Sequence, residues 1–361
     1  MNSYSEITNL AKQAARDAGF ELAGIAPVHE FDELDRFREW IAAGRAGDMK
    51  YLEARDNSGA LKRASLRSAL PWLRSVIVCA INYNTAQPYS TQVNDPQRGW
   101  IARYAWGNED YHDAVMRRLR EVESKLRAAV GESLPEFQTR CYVDTGPLVE
   151  RVYAKYAGVG WIGKNTCIIN QKQGSWLFLG VILTSIELTP DLPAPDRCGT
   201  CTRCIDACPT DALVAPYQLD SNRCISYLTI EKRGAIAEDL RAAMGHEVFG
   251  CDICQDVCPW NRKAPSSAAS EFQPRDGLVN PALEWLARIS EEDFREKFRG
   301  SAVRRAKRSG LRRNAVIAMG NSGDKRFEPV LQKLKTDEDT VVAESADWAA
   351  RRLATQSPRT T

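Results

Sequence analysis

Hydrophobic and polar positions follow two different periods in the first half of the chain. Apolar residues recur at helical spacing over 5–18, whereas short continuous apolar runs over 20–26 and 75–81 are typical of buried strands. Because helices alternate with strands, we expect an α/β layered domain over residues 1–189. The same criteria predict further helices over 34–43, 112–130 and 147–157, a strand over 138–143, and a hairpin of two strands over 166–170 and 176–185.

The pattern changes twice after this domain. Pro190, Pro193 and Pro195 mark a hinge, and a segment rich in Ser, Ala and Pro over 265–274 is typical of a linker. Helical periodicity over 311–353 is interrupted by two turns, an alternation that resembles one HEAT-type repeat. We therefore expect the α/β domain over 1–189, a cysteine-rich domain over 190–264 and an all-α HEAT-like domain over 265–361.

The cysteine-rich domain has the spacing of a protein with two iron–sulfur clusters. One run has the pattern C-x2-C-x2-C-x3-C-P, and a second set ends in C-x2-C-x3-C-P. In two-cluster ferredoxins the fourth cysteine of such a run binds the other cluster. The spacing therefore predicts two 4Fe-4S clusters in a ferredoxin-like domain. We assign Cys198, Cys201, Cys204 and Cys258 to one cluster and Cys208, Cys224, Cys251 and Cys254 to the other.

Zinc and disulfide bonds are the alternatives for these cysteines. A structural zinc site takes four ligands, usually in two separated pairs, and does not explain eight cysteines in interleaved triplets with CP endings. Disulfides need an oxidising compartment, whereas residues 1–20 are polar and lack the apolar run of an export signal. We therefore expect a reducing cytoplasm. The 225–250 insertion, which separates Cys224 from Cys251, is predicted to be helical.

Charge is nearly balanced along the chain except in one segment. The net charge is only +2, but 297–313 contains eight Lys or Arg residues and no acidic residue. Such a segment is often a solvated helix face, yet the uninterrupted positive charge favours a polyanionic partner with phosphate groups. No stretch approaches the ~20 apolar residues that a membrane span needs. The candidate phosphate contacts are Arg304, Arg305, Lys307, Arg308, Arg312 and Arg313.

Asp144 is the candidate catalytic residue of the α/β domain. It stands at the end of the predicted 138–143 strand and before a tight Thr-Gly-Pro turn, a position that suits either a site residue or a helix N-cap. A carboxyl group in a site can donate a proton if its surroundings keep it protonated. His112, beside Asp110 and Tyr111, fits helix capping and function equally well, whereas His29 and His246 have no evident partners.

Two other motifs are more typical of structure than of function. The 158–163 segment matches the G-x-G-x-x-G dinucleotide fingerprint, but a helix is predicted before it and a strand after it, which is the reverse of the Rossmann context. Its glycines instead suggest close approach of the backbone to a flat or bulky ligand, with polar contacts from Lys164 and Asn165. Cys79, Cys141 and Cys167 fall within predicted strands, so core packing is expected for them.

Taken in order, several segments resemble the epoxyqueuosine reductases. The matching segments are Arg-Tyr-Ala at 103–105, Asp-Tyr-His at 110–112, Asp-Thr-Gly-Pro-Leu-Val-Glu-Arg at 144–151, Gly-Trp-Ile-Gly-Lys-Asn at 160–165, both cysteine sets and the helical C-terminus. Together they extend over about residues 5–355. The resemblance implies an oxidoreductase that reduces the epoxide of epoxyqueuosine at the wobble position of tRNA to queuosine.

The resemblance also implies the cofactors and partners. A cobalamin is expected over the α/β domain, with electrons relayed by the two clusters, a proton from Asp144 and tRNA along the basic C-terminal helices. A low-potential flavodoxin or ferredoxin is the expected electron donor. The Asp-x-His-x-x-Gly signature of other corrinoid enzymes is absent, because Val115 replaces its Gly, so we expect base-off cobalamin without a histidine ligand. Cobalamin contacts are expected at Arg63, Gly107, Asp144, Lys164, Asn165, Ile168, Cys251 and Asp252.

Two other classes share part of this pattern. A corrinoid iron–sulfur reductive dehalogenase would use the clusters and the cofactor, but export signals are expected in that class and a basic helical tail has no role there. A ferredoxin-like electron carrier would explain the clusters alone and leave the first 189 residues without a task. The epoxyqueuosine reductase hypothesis accounts for all three predicted domains.

Overall fold

The structure is a computed structural model that describes residues 4–64, 66–130, 134 and 136–355. Helices and strands alternate up to residue 189, as the hydrophobic pattern predicts. The elements of this part are α1 (Tyr4–Asp17), β1 (Leu22–Pro27), α2 (Asp32–Ala42), α3 (Leu66–Ala69), β2 (Ser75–Asn82), β3 (Trp100–Ile101), α4 (Tyr111–Val130), β4 (Thr139–Tyr142), α5 (Glu150–Tyr156), β5 (Trp161–Ile162), β6 (Ile168–Ile169) and β7 (Leu177–Thr184).

A four-stranded sheet with helices on both faces forms the centre of this part. Its strand order is β1-β2-β7-β4, and every neighbouring pair is antiparallel. Every residue of β2 is buried. Ile77, Cys79 and Ile81 pack towards α1 and α4, whereas the alternate residues of β2 pack towards α2 and α5. Burial on both faces explains the continuous apolar run and confirms the layered α/β arrangement.

The predicted hairpin between 166–170 and 176–185 is wrong. β7 lies between β2 and β4 in the sheet, so both of its edges are already paired. β6 instead pairs with β5 as a separate two-stranded ribbon. Cys79 and Cys141 lie in the core as expected, but Cys167 precedes β6 and is half-buried outside the sheet.

The cysteine-rich part consists of short elements and is joined to the sheet domain. Strand β10 pairs in parallel with β3, so the insertion between Cys224 and Cys251 contains a strand as well as the predicted helices. This pairing brings the second group of cysteines next to the segment that follows β3. The elements are α6 (Arg203–Asp206), β8 (Leu213–Ala215), β9 (Gln218–Leu219), α7 (Ile225–Ile230), α8 (Glu238–Arg241), β10 (Glu247–Phe249) and α9 (Ile253–Asp256).

The part of the chain beyond the linker is helical. It contains α10 (Leu283–Arg288), α11 (Glu291–Lys297), α12 (Lys307–Ser322), α13 (Glu328–Leu334) and α14 (Thr340–Thr355). α12 packs against α14 so closely that a Cβ atom at Gly320 would lie 2.8 Å from Cα of Ala349. One hydrophobic cluster joins these helices to α7, β10 and β3. Among the helices of the described residues, none has both the length and the apolar character needed to cross a membrane.

Candidate cluster and active site

The first four assigned cysteines lie together in the structure. Burial raises the pKa of the Cys204 thiol, and the neighbouring Cys198 and Cys201 raise it further. Burial also raises the pKa of Cys258 to about 11, with Cys198 and Cys204 among the thiols that contribute. Cys198 and Cys258 pack in the same small hydrophobic cluster. We call Cys198, Cys201, Cys204 and Cys258 the first quartet.

The other four cysteines form a second quartet. Burial raises the pKa of Cys224, and the nearby Cys208 adds to the rise. The pKa of Cys251 lies well above its ordinary value because of burial, and Cys224 contributes there as well. The pKa of Cys254 is raised most by Cys167, then by burial and by Cys251 and Cys224. The second quartet is therefore Cys208, Cys224, Cys251 and Cys254.

Both quartets suit iron–sulfur clusters rather than disulfides. All eight thiols are free. Buried thiols that crowd together resist ionisation because each thiolate repels the next, and cationic iron supplies the charge that stabilises them as thiolates. The two quartets follow the assignment made from the cysteine spacing, and their roles as ligand sets of separate clusters stay predictions.

The 163–167 loop touches both quartets. The Lys164 ammonium donates to the carbonyl oxygens of Gly199 at 2.6 Å and Cys201 at 3.0 Å, so it faces the first quartet. The Asn165 amide donates to the carbonyl oxygen of Cys254 at 3.4 Å, at the second quartet. Gly163, the last glycine of the fingerprint-like motif, begins this loop, which packs between the cysteine runs.

Asp252 fixes the segment after β3 against the second quartet. Its buried Oδ2 accepts hydrogen bonds from Nε1 of Trp100 at 2.9 Å and from the backbone amide of Arg103 at 2.7 Å. Burial raises the pKa of Asp252, and the Arg103 amide opposes that rise. Asp252 therefore positions Tyr104, which follows Arg103 in the chain.

Aromatic rings continue from this point towards Asp144. The Tyr104 ring lies 6.0 Å from that of Phe249, two residues before Cys251, and 5.8 Å from that of Tyr111. The Tyr111 hydroxyl donates a short hydrogen bond to Oδ2 of Asp144. A continuous set of contacts therefore connects the second quartet with the Asp144 carboxylate.

Asp144 is held in an unusual backbone conformation. Its φ of 58° lies in the left-handed region, which Asp tolerates better than most residues. The Arg63 guanidinium donates to the carbonyl oxygens of Asp144 at 3.2 Å and Leu148 at 3.1 Å, which fixes the turn from both ends. The side chain is 55% exposed, so its carboxylate can reach a bound molecule.

His112 completes this site. Its Nδ1 lies 2.8 Å from Oδ1 of Asp110, and its Nε2 lies 3.9 Å from Oδ2 of Asp144. Burial opposes protonation of the ring, but the hydrogen bond and charge of Asp110, together with the charge of Asp144, raise the pKa of His112 above its ordinary value. The backbone amide of His112 also donates to Asp110, so Asp110 caps the start of α4, and a function for His112 stays a prediction.

Glu150 and Tyr111 belong to this site but were not candidates from the sequence. Glu150 is buried at the start of α5, and its Oε1 finds no hydrogen-bond partner within the described residues. Burial, followed by the charge of the neighbouring Asp144, raises the pKa of Glu150 well above its ordinary value. Its place within the 144–151 motif was the only sequence signal for it.

Three of the expected cofactor contacts are engaged in contacts within the protein. A Cβ atom at Gly107 would lie 2.7 Å from the carbonyl oxygen of Glu271, so this glycine is needed for packing against the linker. Ile168 is buried in the hydrophobic cluster on the face of the sheet that α2 and α5 cover, and it packs against Gly160. Lys164 is likewise engaged, by its hydrogen bonds to carbonyl oxygens of the first quartet.

The basic segment divides into exposed and buried residues. Arg304, Arg305 and Lys307 are exposed, whereas Arg308 donates to the carbonyl oxygen of Ile289. Arg312 and Arg313 are buried, which corrects their expected role as phosphate contacts. Arg312 pairs with Asp337, and Arg313 donates to the carbonyl oxygens of Leu228, Lys232 and Gly234.

Comparisons with known proteins agree with this arrangement. A family model described as "4Fe-4S double cluster binding domain" matches residues 197–261, and one described as "Epoxyqueuosine reductase QueG, DUF1730" matches residues 63–145. The chain is 46% identical over 301 residues to an epoxyqueuosine reductase of Synechocystis sp., covering 81% of this chain and 98% of the relative. It is 40% identical over 347 residues to that of Pseudomonas aeruginosa, covering 94% and 93%.

A solved structure of an epoxyqueuosine reductase with a tRNA-Tyr epoxyqueuosine-modified tRNA stem loop has the same fold. The two chains superimpose with a TM-score of 0.85 at 31% identity, covering 96% of this chain and 91% of that one. Both the sequence relatives and the fold thus extend over nearly the whole chain. The protein therefore belongs to the epoxyqueuosine reductase family.

Proposed function

We propose that this protein reduces the epoxide of epoxyqueuosine in tRNA to queuosine. The observation that carries the proposal is the contact path from the second quartet through Tyr104 and Tyr111 to Asp144. Such a path places a source of electrons and a source of protons at one site, and the reaction consumes both. The relative with a bound epoxyqueuosine-modified stem loop supports an RNA substrate.

Two clusters and a bound cobalamin would supply the electrons. Each quartet is proposed to hold one 4Fe-4S cluster, and such clusters deliver electrons singly. A bound cobalamin would collect the two electrons that the reaction needs. Tyr104 offers a partly exposed ring between Asp144 and Cys251, which suits the edge of a flat macrocycle.

The residues that would hold the cobalamin are fewer than expected from the sequence. Arg63, Asp144, Asn165, Cys251 and Asp252 surround the path between the second quartet and the Asp144 turn. Gly107, Lys164 and Ile168 are left out because each is engaged elsewhere. We propose base-off cobalamin without a histidine ligand because the Asp-x-His-x-x-Gly signature is absent, with Val115 at the position of its Gly.

Asp144 is proposed to donate a proton to the epoxide oxygen. Loss of that oxygen as water needs two protons, so a single carboxyl group must be recharged within one turnover. His112 can do so, because its Nε2 lies 3.9 Å from Asp144 Oδ2 and its ring is partly exposed. The N–H bond of the imidazolium breaks, the O–H bond of Asp144 forms, and solvent returns a proton to His112. Asp110 orients the ring for this transfer.

The exposed part of the basic segment is proposed to bind tRNA phosphates. Arg304 and Lys307 retain this role, with Arg308 at their edge, whereas Arg305 is paired with Glu231. Arg312 and Arg313 instead hold the HEAT-like helices to the insertion and to each other. A charge set of this kind gives affinity without sequence specificity, so recognition of the modified nucleoside falls to the Asp144 site.

Electrons are proposed to enter at the first quartet from a low-potential flavodoxin or ferredoxin in the cytoplasm. The loop of the first quartet exposes Gly199 and Thr200, whereas the second quartet lies beside the contact path to Asp144. A simple ferredoxin-like carrier would leave the Asp144 site without a task. A dehalogenase would leave the exposed basic residues without one.

The proposal is tested with protein reconstituted with iron, sulfide and cobalamin and supplied with a chemical reductant. We expect queuosine to replace epoxyqueuosine in nucleoside digests of the tRNA, and no conversion without cobalamin. Electron paramagnetic resonance of Co(II) should lack nitrogen splitting from a protein imidazole. Conversion without cobalamin would remove that cofactor from the proposal, and imidazole splitting would remove the base-off assignment.

A further inference from the structure

Tyr51 is an exposed aromatic residue whose hydroxyl lies within reach of the Asp144 charge. It lies in a 3₁₀ turn, Lys50–Glu53, and its side chain is 48% exposed. The backbone amide of Lys62 donates to the carbonyl oxygen of Ala54 at 2.9 Å. This hydrogen bond ties the Tyr51 turn to Lys62 and so to Arg63, which follows Lys62 in the chain. Because Arg63 in turn donates to the Asp144 carbonyl, the position of Tyr51 is fixed relative to the catalytic carboxyl.

Arg305 lies beside the Tyr51 ring. Its guanidinium carbon is 5.6 Å from the ring centroid. Glu231, in the segment after α7, accepts two hydrogen bonds from this guanidinium, at 2.9 and 3.2 Å. Glu231 neutralises much of the Arg305 charge and fixes the plane of the group, so Arg305 is better suited to stacking than to attracting distant phosphates.

The turn that carries Tyr51 is also attached to the insertion. The Tyr227 hydroxyl accepts a hydrogen bond from the backbone amide of Asp48 at 2.8 Å, and Lys232 forms an ion pair with Asp48 at 2.9 Å. Three distant parts of the chain therefore meet here: the Tyr51 turn, the insertion and the start of the basic helices. An exposed ring held this firmly loses little conformational entropy when it binds a ligand.

We propose that Tyr51 and Arg305 form a stacking subsite for an unpaired base of the tRNA anticodon loop, next to the modified nucleoside. The inference rests on the proposed function. To bring its epoxide to Asp144, the modified nucleoside must leave its stack, which exposes the face of a neighbouring base. Aromatic rings and guanidinium planes replace that lost stacking in proteins that bind single-stranded RNA.

The subsite explains why an aromatic residue is exposed at a charged surface. Stacking on one aromatic ring contributes about 1–3 kcal/mol per base, which corresponds to about 5- to 150-fold in affinity. Phosphate contacts by Arg304 and Lys307 add affinity that depends on salt, whereas stacking adds affinity that depends little on it. Salt dependence therefore separates the two contributions.

The experiment measures binding of an epoxyqueuosine-modified anticodon stem loop that carries 2-aminopurine beside the modified nucleoside. We expect Tyr51→Ala to weaken binding about 5- to 150-fold with an unchanged salt slope, and to abolish the quenching of 2-aminopurine fluorescence. Tyr51→Phe should keep both affinity and quenching. Arg305→Lys, which retains the charge but not the plane, should weaken both. Tyr4→Ala, at a tyrosine that is 62% exposed on α1, is the matched control and should change neither.

The outcomes separate this inference from the proposed function. If wild-type protein converts tRNA but Tyr51→Ala binds and quenches like wild type, the stacking subsite is wrong and the reductase proposal stands. A lower salt slope in Tyr51→Ala would assign the residue to phosphate binding and also overturn the subsite. If wild-type protein neither binds nor converts the stem loop, the proposed function itself fails.

Discussion

The Tyr111 hydroxyl donates its hydrogen bond to Oδ2 of Asp144, across 33 positions of the chain. The Tyr111 ring is stacked on Phe178, with centroids 4.4 Å apart and planes within 3°. Burial and the Asp144 charge raise the pKa of Tyr111 well above its ordinary value, so its hydroxyl remains a donor. The sheet core therefore fixes the orientation of the Asp144 carboxyl through this hydrogen bond.

Replacement of Asp144 by Asn should abolish most of the turnover while leaving the cofactors bound. Asn retains the size of the side chain and tolerates the left-handed backbone of this turn, but it cannot donate an acidic proton. We expect the rate of epoxyqueuosine conversion to fall by about 10²- to 10⁴-fold. The rate is measured by nucleoside analysis, with the visible spectrum as the check on cofactor loading. Full turnover in this variant would exclude Asp144 as the acid.

The pH dependence of turnover should report on His112. Asp110 and Asp144 raise the pKa of its ring, so the folded-state value lies above the ordinary value of about 6.5. If the imidazolium is the proton source, as we propose, the rate should fall as pH rises through the folded-state pKa of His112. The contact between His112 and Asp110 stabilises the fold below about pH 6.5, and this stabilisation is lost as pH rises through the folded-state pKa of His112. Asp113 also raises this pKa, whereas burial opposes the rise.

Variants can separate proton transfer from a structural role of His112. Asp110→Asn should lower the pKa of His112 in an NMR titration and move the fall in rate to lower pH. His112→Gln should slow turnover, and added imidazole should restore part of the rate. His29→Gln, at an exposed histidine, is the control. An unchanged pH profile in Asp110→Asn would contradict the recharging step.

The sequence was most informative where chemistry imposes fixed spacing. The x2 and x3 intervals between cysteines reflect the geometry of a cluster, so a domain with two clusters could be predicted from spacing alone. Which cysteines bind which cluster stays a prediction. The buried strand β2 was equally clear, because its continuous apolar run requires cover on both faces. The pairing of β7 was missed because strand partners depend on contacts distant in sequence, which local periodicity does not contain.

The candidate site was harder to predict from sequence for the same reason. Arg304 and Arg312 look alike in a run of positive charge, and only packing against Asp337 shows that the second is buried. Tyr51 is an ordinary tyrosine until Arg305, 254 positions later, is placed beside it. Glu150 lay within a recognised motif, yet its burial next to Asp144 depends on how α5 begins.

Exposed and buried arginines of the basic segment should behave differently in tRNA binding. A double variant, Arg304→Gln with Lys307→Gln, should weaken binding and reduce the salt slope by about 1.4–1.8, because two phosphate contacts are lost. The measurement is the affinity for an anticodon stem loop over a series of salt concentrations. Lys333→Gln with Lys325→Gln, which removes the same charge from α13 and the turn before it, is the control. An equal loss of affinity in the two double variants would indicate a general effect of net charge.

Arg312→Gln should instead destabilise the fold. Its guanidinium donates to Asp337 at 2.5 and 3.1 Å, and the hydrogen bond holds the pKa of Asp337 below its ordinary value. Breaking this buried pair should lower the free energy of unfolding by about 3–5 kcal/mol. The stabilisation is present above about pH 4 and is lost as pH falls through the lower folded-state pKa. Denaturant unfolding at pH 7 and pH 3 measures both effects. Equal stability of the variant and the wild type at pH 7 would contradict the pair's role.

Cys167 should tune the second cluster without binding iron. Its thiol lies against that of Cys254 in the second quartet. Its charge also contributes to the raised pKa of Cys258 in the first quartet. With Cys254 bound to iron, the Cys167 S–H can donate to its sulfur and so stabilise the more negative, reduced cluster. Cys167→Ala should therefore retain about eight iron atoms per chain, the content of two four-iron clusters. It should lower the reduction potential of the second cluster by about 20–60 mV, the equivalent of one hydrogen bond in a one-electron couple.

Redox titration followed by electron paramagnetic resonance measures this shift, and Cys141→Ala, in the sheet core, is the control. A loss of about four iron atoms in Cys167→Ala would instead make Cys167 a ligand and remove one of the assigned cysteines from the second quartet. An unchanged reduction potential of the second cluster, with full iron content, would show that Cys167 contributes only to packing. The two measurements together therefore distinguish ligation, hydrogen bonding and packing at a position where the sequence indicated only packing.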